Sequence, residues 1–199
     1  MHNARSWALA PANTDTVGHG QDREFSADER QANMPSLDIA WEQRLAALWS
    51  NLDSLDDTEF VAQMAALTSE LPAADSVALF ERAAAWDSTG HPEEAVPLYE
   101  AALSTGLSGI RRRRATIQLA SSLRNLGQAA RAAEMLQREL NEASDELTQA
   151  VQAFLALALA DLGRDREALA IALNAVSHYL PRYNRSLARY AEQLQHEGA

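Results

Sequence analysis

Arg111, Arg112, Arg113 and Arg114 stand in an unbroken run. The chemistry such a cluster performs best is recognition of carboxylates, because each planar guanidinium can hold two oxygens with charge-assisted hydrogen bonds. Four cations at the start of a helix oppose its dipole and repel one another, so something must compensate. Two readings account for them. In the first, neighbouring acidic residues pair with the run, while Arg112 and Arg113 lay their stems over the apolar edge leading to Thr116 and Ile117. In the second, Arg111 and Arg114 begin a polar stripe that continues through Gln118, Ser121 and Asn125 along one helix face. Arg124 lies beside that stripe, and the whole set holds a ligand.

Catalytic arrangements are harder to assemble from this chain. His2, His19, His91, His178 and His196 are scattered without paired metal-ligand spacing, so no metal is predicted. Asp53, Asp56, Asp57 and Glu59 lack the alternation and central glycine of a cation loop and read instead as helix-start residues. No serine lies in a nucleophile elbow. Cysteine is absent, which removes disulfides, thiolate catalysis and sulfur-based zinc sites. All 17 basic residues are arginine, which excludes a Schiff-base lysine and a Walker-type phosphate loop. The expectation is a protein that is not an enzyme and carries no cofactor.

Composition narrows the partner. The formal net charge is -11, which disfavours non-specific binding to nucleic acid or anionic lipid because those polyanions are repelled at long range. No segment approaches the roughly 20 apolar residues that span a bilayer, and the first 30 residues hold no apolar core of signal-peptide length. A soluble, cytoplasmic protein is expected. With 47% hydrophobic residues, eight glycines and six prolines, abundant alanine and no long alternating strand pattern, the class is all-α.

The elements that must position the stripe are set by three glycines. Gly90, Gly127 and Gly163 recur at separations of 37 and 36 residues, each inside one helix-turn-helix unit. The first unit reads Leu79, Arg82-Ala83, Trp86, Gly90, Ala95, Tyr99 and Ala102. The second reads Thr116, Leu119-Ala120, Leu123, Gly127, Ala132 and Leu136, and the third Gln152, Leu155-Ala156, Leu159, Gly163, Ala168, Ala172 and Ala175. Ala83, Ala120 and Ala156 are expected where two helices come closest, with Ala95, Ala132 and Ala168 opposite. Each glycine accepts the left-handed turn that joins its pair.

Around these units the spacing predicts helices over about 74–88, 92–104, 109–126, 129–141, 144–162 and 166–179. Residues 1–35 are read as a disordered tail, with Met34 a plausible natural start. Residues 36–72 form an N-terminal helical pair: one helix carries Trp41, Leu45, Leu48, Trp49 and Leu52, the other Phe60, Val61, Met64, Leu67 and Leu71 before Pro72. Residues 73–181 hold the three repeats, and 182–199 a capping helix built on Tyr183, Leu187, Tyr190, Ala191 and Leu194. Pro97, inside its helix, should bend it locally.

At these residues the chain resembles the tetratricopeptide repeat family over about Ser76 to Pro181, and its Leu-Gly-Gln and Leu-Gly-Arg turns are similar to those of short, stand-alone bacterial members. It departs where the family has a first-helix tryptophan, here Leu79, Thr116 and Gln152, and at Glu139, where alanine is usual. Its units are also longer than the usual length of about 34 residues. The resemblance implies a right-handed superhelix of antiparallel helix pairs, an α-solenoid whose first helices line a concave groove that binds protein or peptide. It also implies that Arg114, Gln118, Ser121, Arg124 and Asn125, by their offsets from Gly127, sit where ligands are often contacted. Glu81, Asp87 and Asp161 occupy related offsets. Family members that grip a terminal carboxylate use lysine there, and lysine is missing.

The expected role is therefore an adaptor or scaffold for a protein or peptide, acidic in the sharpest form of the reading. The alternative is a structural or regulatory homo-oligomer, with a small-ligand sensor or enzyme behind it. A tendency to dimerise is expected from the N-terminal face of Trp41, Leu45, Leu48 and Trp49 and from the C-terminal tyrosines Tyr179, Tyr183 and Tyr190, for which core packing of the capping helix is the competing explanation.

Overall fold

The computed structural model describes residues 39–196; the expected tail over 1–35 and the start at Met34 lie outside that range. Among the described residues the chain folds into nine α-helices and one 3-10 turn. These are α1 (Ile39–Ser50), the 3-10 turn (Leu52–Ser54), α2 (Asp57–Thr68), α3 (Ser76–Ser88), α4 (Pro92–Ser104), α5 (Gly109–Asn125), α6 (Ala129–Glu139), α7 (Thr148–Asp161), α8 (Asp165–Ser177) and α9 (Asn184–His196). They pack in sequence as antiparallel pairs, as an α-solenoid requires.

Local chemistry sets the boundaries. Asp56 Oδ1 accepts from the Glu59 amide at 2.8 Å to start α2, and Asp75 Oδ1 accepts from Val77 and Ala78 at 2.9 and 3.0 Å to start α3; each satisfies amides that the first turn leaves free. Pro92 opens α4 with Glu93 and Glu94 in its first turn. Gly90, Gly127 and Gly163 have φ of 82°, 76° and 72°. After them the amides of His91, Gln128 and Arg164 donate to the carbonyls of Trp86, Leu123 and Leu159 at 2.9, 2.8 and 2.9 Å. This is the same left-handed cap three times. The predicted start of α7 at residue 144 is too early. Asp145 Oδ1 accepts from the Leu147 amide at 2.8 Å and Thr148 Oγ1 from the Asp145 amide at 2.9 Å, a side-chain-held turn that competes with helix.

The repeat core runs through the joints as the alanine spacing requires. Ala83, Ala95, Ala120 and Ala132 are at most 1% exposed, and Leu119, Leu123, Leu155 and Leu159 fill the space beside them. The N-terminal expectation needs correction, because Trp41, Leu45 and Leu48 do not form a free face. They are buried against Phe60, Met64 and Leu67 of α2, and Trp41 Nε1 donates to the Leu67 carbonyl at 3.1 Å. At the other end, Ala191 of α9 is buried while Tyr179, Tyr183 and Tyr190 are exposed, so core packing does not account for those tyrosines.

Candidate concave groove

Each arginine of the run has a separate task. Arg111 donates to both oxygens of Glu42 on α1 at 3.0 and 2.7 Å, and to Glu81 Oε1 on α3 at 3.0 Å. Trp49 Nε1 donates to Glu81 Oε2 at 2.9 Å. Glu81 is 2% exposed; burial pushes its carboxyl above the usual range, and Arg111 and Trp49 pull it back. Arg112 donates to both oxygens of Glu139 at 2.8 and 3.0 Å. Arg113, itself buried, reaches Glu139 at 3.5 Å, Asp145 at 3.1 Å and the Ala143 carbonyl at 2.8 Å. For three of the four cations, the acidic-neighbour reading describes what is found.

Arg114 is different. Its guanidinium lies over the Phe80 ring, 5.4 Å from the centroid, and among the described residues no carboxylate comes within ion-pair distance of it. The aromatic face attracts the cation without using its N–H donors. Gln118, Ser121 and Asn125 follow at helical spacing on the same side of α5, the first two half-buried and the last exposed. Gln118 Oε1 is buried and has no hydrogen-bond partner among the described residues. That oxygen faces the packed side of the helix, while the rest of the half-buried side chain reaches the α5 surface.

Arg124 does not join that face as a free cation, because its Nε pairs with Asp161 on α7. The three acids at related offsets also turn into joints between helices. Glu81 serves Arg111 and Trp49, Asp161 serves Arg124, and Asp87 accepts from Ser122 Oγ at 2.7 Å and from the Tyr99 hydroxyl at 3.3 Å. Burial raises the Asp87 carboxyl from 3.8 to about 6 despite both hydrogen bonds. The same burial, with Asp87 beside it, holds the Tyr99 phenol well above its ordinary value, so it remains a donor. The structure thus brings together Arg114, Gln118, Ser121 and Asn125, and assigns Arg124 to a joint between repeats.

Sequence reasoning missed Glu42, Ser122 and the pairing of Glu139 with the run. Glu139 carried a signal, since its charge stands where alanine is usual and a buried charge needs a partner. Nothing local marks Glu42, which meets Arg111 across 69 residues.

No helix among the described residues is long and apolar enough to cross a membrane. Compared with known proteins, the chain matches the tetratrico peptide repeat model over residues 76–194. No curated protein and no solved structure gives a significant match.

Proposed function

Because the chain belongs to the tetratricopeptide repeat family, whose domains are in general protein-interaction modules, we propose that it is a cytoplasmic adaptor or scaffold. It has no chemistry of its own and holds an acidic, carboxylate-bearing segment of another protein on the α5 face of the concave groove. The observation that carries this reading is Arg114, held over Phe80 with its donors uncommitted to any carboxylate among the described residues. A peptide carboxylate complements Arg114, with Gln118, Ser121 and Asn125 as neutral contacts along the same face. Arg124 contributes charge from the rim after exchanging Asp161 for the ligand.

The test begins with a partner captured from native extract, followed by its affinity for variants. Arg114→Ala should weaken binding about tenfold or more, the range of a charge-assisted hydrogen bond, without altering helical content. Binding should also weaken as salt rises. Unchanged affinity in an Arg114→Ala/Arg124→Ala double variant places the contact elsewhere and refutes this reading.

A further inference from the structure

The three repeats are equivalent in sequence but not in what covers them. Phe80 in the first unit and Ile117 in the second are 0% and 6% exposed, because the first helix of the next unit lies over them; Ala153, their counterpart in the third, is exposed. Ala84 is 1% exposed where Leu157 is 43%, and Ala133 is 6% where Leu169 is 50%. The C-terminal helix does not take the vacant place. α9 lies on another side of α8, where Leu194 lines a cavity with Ile171 and Asn174 and its carbonyl accepts from Arg166 Nε at 3.2 Å. Between α7 and α8 there remains a groove of about 680 Å³, floored by Ala156, Ala168 and Ala172 and walled by Leu157, Leu169 and Val176. No described residue of α9 lines it.

We infer that this groove is a dimer face, occupied by the same α7–α8 face of a second copy of this chain. Charge permits that occupant at this face and opposes it elsewhere on the surface. With a net charge of -11, two copies repel through most of their surface, but the groove lining carries one formal charge, Asp165, at the first residue of α8. Two such faces meet over an uncharged centre, where apolar burial acts against weak like-charge opposition. Shape selects it. A two-fold axis sets the Leu157 and Leu169 ridges of one copy against the alanine floor of the other, so one patch serves both sides of an isologous contact. The same face of the first two units is already covered within the chain, at the α3–α5 and α5–α7 joints, and the third unit's is the end of the stack that no further repeat covers. Arg114, Gln118, Ser121 and Asn125 do not line it, so the inference stands or falls apart from the groove-binding proposal.

The test is sedimentation equilibrium of the full chain from low micromolar to several hundred micromolar. The wild type should pass from one to two chain masses, and 1 M NaCl should leave that transition unchanged or strengthen it by screening the net repulsion. Leu157→Glu and, separately, Leu169→Glu should weaken dimerisation by at least 100-fold with unchanged helical circular dichroism. Both side chains are already half-exposed, so the folded monomer tolerates the change. Tyr190→Glu on α9, outside the groove, should leave the dimer intact, as should Arg114→Ala. A wild type that stays monomeric throughout overturns the inference, and so does a dimer that survives either glutamate.

Discussion

Asp87→Asn should change how stability depends on pH in a way the structure allows to be worked out. The carboxyl lies in the joint between α3, α4 and α5, and its folded-state pKa of about 6 stands above the ordinary 3.8. Between those values the folded chain binds the proton more tightly than the unfolded chain, so stability falls as pH rises through that window and levels off above 6. Over the whole window the group contributes roughly 3 kcal/mol; between pH 4.5 and pH 8 the loss is about 2 kcal/mol. Asparagine keeps the joint's hydrogen bonds, because the Ser122 and Tyr99 hydroxyls can each donate or accept, and it carries no titratable charge. The variant should therefore gain on the wild type by about 2 kcal/mol on going from pH 4.5 to pH 8. At a urea m-value of about 2 kcal/mol per M, that is a relative shift of about 1 M in midpoint. Other titrating groups are common to both chains and cancel in the difference. The measurement is urea unfolding of both proteins by circular dichroism at the two pH values. A wild-type-minus-variant difference that stays constant between them refutes the argument that burial governs this carboxyl.

Three further outcomes are expected. Arg111→Met should destabilise by about 3–5 kcal/mol, because it strips buried Glu81 of its cation and leaves Trp49 as its remaining donor; a denaturant midpoint within experimental error of the wild type counts against the network. Glu139→Ala, which restores the residue usual in the family, should nonetheless destabilise by about 1.5–3 kcal/mol, because Arg112 loses both its hydrogen bonds and buried Arg113 keeps Asp145 as its remaining carboxylate; an unfolding midpoint at or above the wild type's counts against the pairing. Ala120→Leu should lose about 1–3 kcal/mol through overpacking at a position 1% exposed, and a neutral result by urea titration argues against the repeat register.

The solenoid was legible because its signals are local. A glycine at φ near +80° needs only its own turn, and alanines fixed by spacing from that glycine find the helix approach within one unit. The N-terminal pair was legible as helices but not as a covered face: which side of Trp41 and Leu48 is shielded depends on how α2 returns over α1. The site was half legible. Its spacing on α5 could be read directly, since 114, 118, 121 and 125 fall on one side of any helix. Which arginines were already engaged could not, because Glu42, Glu81 and Glu139 come from other helices at separations of 69, 30 and 27 residues. The arginine run and Glu139 were each visible as departures, and each is the physical answer to the other.

That division of labour has a consequence for how the groove works. Glu81 lies within electrostatic reach of Arg114, yet its oxygens are taken by Arg111 and Trp49, so it tempers the neighbouring cation without binding it. Arg111 thereby keeps Arg114 available while fixing α1 across α3 and α5, and Arg112 and Arg113 hold α5 against α6 and the turn before α7. These three are positioning residues: under the proposed function, changing them should move stability and binding together, since the groove wall moves with the helices they tie. Arg114 rests on Phe80, and its loss removes a surface donor from an already assembled wall. Arg114→Met, which keeps an apolar side chain over Phe80 while removing the charge, should separate the two measurements, lowering affinity far more than the unfolding midpoint, as expected of a residue whose polar bonds are made to something outside the fold.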